Sequence, residues 1–112
     1  MTDINNVMAL VFADADMAHQ QHLATKSYAE HVALGEFYSG VREKFDALAE
    51  SLVAMGQQVP LANAPMVSHL QQSFTQLQEL RAVCDGIPAA ENLFDEIGAC
   101  YLGAIFKLGL TQ

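Results

Sequence analysis

His19, His31, Asp46 and Glu50 are imidazole and carboxylate donors in one stretch, with the pattern H-x11-H-x14-D-x3-E. Mixed nitrogen and oxygen donors of this kind suit first-row divalent metals. The spacing also constrains assembly. Asp46 and Glu50 are four residues apart, so on a helix they share one face, a turn apart. His31 and Asp46 are fifteen residues apart, which on one helix is about 22 Å. No single ion bridges that distance, so a metal held by all four residues takes half of its ligands from a second chain. His22 lies one turn after His19 and reads as a spare ligand or a partner that orients one. Each residue also has a plainer reading. His31 fits a core histidine, His19 a helix-end residue, and Asp46 and Glu50 a solvated face shared with Glu36 and Glu43.

Helices must position these residues. The spacing predicts a first helix over about 3–23, with Ile4, Val7, Met8, Val11, Phe12 and Met17 on its apolar face and Thr2 or Asp3 as cap. Ser27 followed by Glu30 fits a capping box and starts a second helix over about 28–55. Along it Leu34, Tyr38, Val41, Phe45, Leu48, Leu52 and Met55 alternate steps of four and three, and His31 extends the stripe backwards. Gly56 is placed to end this helix. Gln57–Pro65 is a connection, with Asn63 a candidate cap beyond it. A third helix is expected over about 65–83, with Met66, Leu70, Phe74, Leu77 and Leu80 along it. Asp85-Gly86-Ile87-Pro88 breaks the chain, and a fourth helix follows over about 88–109. The expectation is one all-α domain spanning residues 1–112, a four-helix bundle.

The stretch from Ala18-His19 through Ala47-Leu48-Ala49-Glu50 to Met55-Gly56 resembles the Dps mini-ferritins, a branch of the ferritin-like four-helix bundles. Histidines twelve apart, then Asp-x-x-x-Glu fifteen further on, are that family's pattern, matched without a gap by His19, His31, Asp46 and Glu50. The resemblance implies that the two histidines of one subunit meet the Asp and Glu of its neighbour across a two-fold axis. It implies iron as the metal, oxidised there by peroxide or oxygen and stored. Zinc or manganese would be substitutes for iron at such a donor set. The implied assembly is a homodimer or higher homo-oligomer built through antiparallel second helices. The chain departs from the family in having Gln20 where a Trp is usual and in its short middle connection. The later helices offer His69, Glu79, Asp95 and Glu96 at no ferritin spacing.

The net charge of -8, from 13 acids against 5 bases, argues against nucleic acid or an anionic membrane as a direct partner. It favours cations or a basic protein surface. The rival function is therefore a metal-free acidic helical scaffold, for instance a phage-derived relative that has lost the chemistry, binding a basic protein. Cys84 and Cys100 show no metal-finger spacing and read as reduced core thiols. The first residues lack a basic signal-peptide region, and no apolar run approaches membrane length, so the expected location is the cytoplasm.

Overall fold

The computed structural model describes residues 4–60 and 65–110. It is all-α, with α1 (Ile4–Ala24), α2 (Tyr28–Ala54), α3 (Met66–Glu79), a 3-10 turn (Arg81–Cys84) and α4 (Pro88–Gly109), and no strand among the described residues. The all-α class with four helices is as expected from the sequence. One boundary is corrected. The third helix, expected to reach residue 83, stops as an α-helix at Glu79, and Arg81–Cys84 tighten to 3-10 geometry before Gly86 turns the chain at φ 83°. Such tightening is common at helix C-termini, where the last carbonyls lack helical partners. The caps expected at Thr2, Asp3 and Asn63 lie outside the described residues. No described helix is long and apolar enough to cross a membrane.

Contacts divide the chain into two compact units, Met1–Leu61 and Ala62–Gln112. In the first, α1 and α2 pack as a hairpin joined by Thr25–Ser27. Ser27 caps α2 by accepting from the backbone N–H of Glu30 at 3.2 Å. The reciprocal half of the expected capping box is not made. Thr25 Oγ1 takes the Ser27 N–H instead, at 3.2 Å. The Glu30 carboxylate is thereby free to accept from Gln21 Nε2 at 2.9 Å, tying the end of α1 to the start of α2. At its far end α2 closes in a Schellman motif. Gln57 N–H donates to Leu52 and Gly56 N–H to Val53, with Gly56 at φ 99°.

The apolar face of α1 departs from the expected set. Ala15 and Ala18 are buried, whereas Met17 is 70% exposed. Ala15 and Ala18 continue the helical spacing from Ile4 and Val11, and Met17 falls off it. Phe12 packs edge-on against Phe45 at 5.7 Å between ring centroids, and Arg42 lies over Phe12 while pairing with Asp16. The stripe of α2 is sealed only in part. Phe45 is buried and Leu34, Tyr38, Val41 and Leu52 are half-buried, but Leu48 and Met55 are exposed.

In the second unit α3 packs on α4 around Gly98, which is buried. A Cβ there would lie 3.4 Å from Gln78 Nε2 and 3.5 Å from the Phe74 ring, ordinary packing distances, so α3 and α4 are in close contact at this point. Arg81 forks onto Asp95, with Nε to Oδ1 at 2.8 Å and a second N–H to Oδ2 at 3.0 Å, and stands near Glu91. The fork fastens the 3-10 turn to α4 and holds the Asp95 carboxyl below its ordinary pKa. Both cysteines are free thiols. Cys84 is half-buried and Cys100 exposed, a correction to the expectation that both sit in a core.

Candidate functional site

The turn of the first unit gathers four rings: His19 and His22 from α1, His31 and Tyr38 from α2. His22 and His31 stack with centroids 3.7 Å apart and planes 20° apart. Each is hydrogen-bonded to the other's backbone. His22 Nδ1 donates to the His31 carbonyl at 2.6 Å, and His31 Nδ1 donates to the His22 carbonyl at 2.9 Å. The bond to the His22 carbonyl falls in the last turn of α1, just beyond Gln21, whose carbonyl takes the Thr25 N–H. His19 stacks instead on Tyr38, at 4.0 Å and 11°, and Tyr38 stands edge-on to His22 at 5.4 Å.

Local sequence explains this arrangement. His22 is on the last turn of α1 and His31 on the first turn of α2, so a three-residue turn brings them face to face. Gly35, one turn along from His31, supplies the room. A Cβ at Gly35 would stand 3.0 Å from His22 Cε1 and 3.2 Å from its Nδ1. α2 holds two interior glycines, Gly35 and Gly40, and spacing alone does not single out Gly35. A helix-interior glycine that costs stability without ending the helix is a signal of close approach, which Gly35 bears out and Gly40, with open space beside it, does not.

Of the expected ligands, His19 and His31 thus share one ring cluster, with His22 as the direct neighbour of His31. Asp46 and Glu50 lie further along α2, both exposed and, among the described residues, neither in an ion pair. Because α2 runs unbroken from Tyr28 to Ala54, Asp46 is about 22 Å along the axis from His31. Among the described residues, no three His, Cys, Asp or Glu side chains of one chain gather into a group able to hold a metal.

The donor chemistry fits a metal at the histidine end. A carbonyl oxygen can only accept, so Nδ1 carries the hydrogen in both His22 and His31. In the neutral ring this leaves the Nε2 lone pair uncommitted, the state in which metal-ligating histidines are commonly held.

Fold and cluster together define an all-α chain with a histidine-rich hairpin turn and an acidic helix face. The chain belongs to the family of unknown function DUF5856, which matches residues 22–108. That span begins at His22 and includes His31, Asp46 and Glu50, while His19 precedes it. No curated protein and no solved structure matches the chain.

Proposed function

We propose that this is a small Dps-type iron-binding protein whose site is shared between two copies. His19 and His31 of one chain and Asp46 and Glu50 of another would hold Fe(II), the cargo, with His22 beside them. The observation that carries this reading is the His31 Nδ1–H bond to the His22 carbonyl, which in the neutral ring leaves the Nε2 lone pair available to a ligand. Asp46 and Glu50, exposed and with no basic partner among the described residues, would supply oxygen donors. Their distance along α2 makes the second copy a requirement. The carboxylates would stabilise Fe(III) after oxidation by oxygen or peroxide, and zinc or manganese suits the same donors.

Complementation between damaged chains tests the shared site. His31→Ala and Asp46→Asn/Glu50→Gln chains are each expected to bind no Fe(II) or Zn(II) alone. Mixed after unfolding and given metal, they form hybrid dimers in which one of the two sites is intact, and because only hybrids hold the cation that dimerisation needs, up to about half of all sites recover. Binding by either variant alone, or no recovery in a demonstrated hybrid, overturns the reading. The rival reading, a metal-free acidic partner of a basic protein, draws on the -8 charge. It expects a salt-sensitive complex indifferent to His19→Ala and Glu50→Gln.

A further inference from the structure

We infer that His22 is a positioning residue that fixes the ring plane and the tautomer of His31, so that His31 Nε2 is presented as a preformed donor. The inference rests on the proposed metal-binding reading for its purpose, but its geometry stands on the hairpin itself. His31 is exposed at the first turn of α2, where a histidine ordinarily samples several rotamers and both neutral tautomers. Two contacts remove that freedom, and both come from one residue. The His22 carbonyl takes the His31 Nδ1–H at 2.9 Å, and the His22 ring lies flat on the His31 ring at 3.7 Å.

His22 is itself held. Its Nδ1–H is bound by the His31 carbonyl, the Tyr38 ring meets it edge-on, and the bare Cα of Gly35 lies close beside it. A ring pinned in this way acts as a fixed wall for a neighbour. His19 has a different role in the cluster, because its flat contact is with Tyr38.

The test has one arm without metal and one with it. In the metal-free full chain, long-range proton–nitrogen NMR of the imidazoles is expected to find His31 as the Nδ1–H tautomer alone. His22→Ala keeps the backbone carbonyl but removes the wall, and His31 is expected to show a mixture of tautomers. His22→Phe restores a flat ring without a ligand nitrogen and is expected to restore the single tautomer. Gly35→Ala, which changes no histidine, pushes the His22 ring aside and is expected to reproduce the mixture. Circular dichroism confirms that each variant keeps its helices.

In the second arm, Zn(II) is titrated into the same samples. His22→Ala and Gly35→Ala are expected to weaken binding by about 10–100-fold, the usual cost of losing a residue that orients a ligand, with His22→Phe recovering most of it. A His31 tautomer unchanged in His22→Ala and Gly35→Ala overturns the inference. So does a His22→Phe that binds Zn(II) as weakly as His22→Ala, because His22 would then be a ligand. A wild-type chain that takes no Zn(II) or Fe(II), with the NMR pattern as expected, sinks the metal reading and leaves the positioning role standing.

Discussion

At the scale of single residues, the hairpin turn is fastened by side chains that reach across it. Glu30 illustrates the electrostatic side. Hydrogen bonds from Gln21 and, secondarily, Thr25 hold its carboxyl below the ordinary glutamate pKa. A carboxyl depressed in the folded state stabilises the fold above its unfolded-state pKa. That contribution is lost as the pH falls through the lower folded-state value. Glu30→Gln is therefore expected to lower the melting temperature at neutral pH, with the gap to wild type closing in acid. Calorimetry across that range checks it, and a gap that persists in acid would count against the ionised carboxylate as the cause. The sequence marked Ser27 and Glu30 as a capping pair. Half of that is realised, because Thr25 satisfies the Ser27 N–H and releases Glu30 to bind Gln21. That competition depends on the closed turn, and spacing alone does not reveal it.

At the scale of elements, glycines of one chemical kind have opposite roles in α2. Gly56 ends the helix at φ 99°, a conformation that costs an L side chain about 1 kcal/mol. Gly40 lies within the helix and, apart from its chain neighbours and the helix's own backbone, has no atom within 4 Å of where its Cβ would stand. An alanine there gains about 1 kcal/mol in helix propensity without a clash. Gly56→Ala is thus expected to lower the denaturant midpoint and Gly40→Ala to raise it, in equilibrium unfolding under identical conditions. Equal shifts in one direction would contradict the assigned roles. The stop at Gly56 was legible from the sequence, since a glycine after a long periodic run is a local signal. The third helix is shorter than its spacing predicts, because Leu80 continues the apolar spacing of Phe74 and Leu77 while the backbone has already tightened beyond Glu79.

At the scale of the whole molecule, composition and charge bear on assembly. The exposed acids Glu36, Glu43, Asp46 and Glu50 line one flank of α2. Two copies meeting there through antiparallel helices bring like charges together, which opposes association until a cation neutralises them. Midway between His31 and the Asp46–Glu50 pair stands Ser39, also exposed, so the proposed two-fold axis passes near it. Dimerisation is therefore expected to require a divalent cation. In sedimentation velocity, Zn(II) should convert monomer to dimer and a chelator should reverse it. Glu36→Gln/Glu43→Gln should raise the dimer fraction without metal. A dimer insensitive to both chelator and charge removal would rule out this interface.

The sequence by itself determined the helices. Caps, breaks and apolar spacing act within a few residues, so the order of four helices and most of their ends could be read directly. It also placed Asp46 and Glu50 on an exposed flank, because helical periodicity separates them from the stripe that contains Phe45. It did not determine which rings meet. The expected pairing of His19 with His31 is what the family resemblance implies, and the side role given to His22 follows from its place one turn after His19. Only the closed hairpin, with Gly35 leaving space for a ring, sets His22 against His31 and His19 against Tyr38. Those contacts join residues on different helices, and their energy exists only once the turn has brought the helices together.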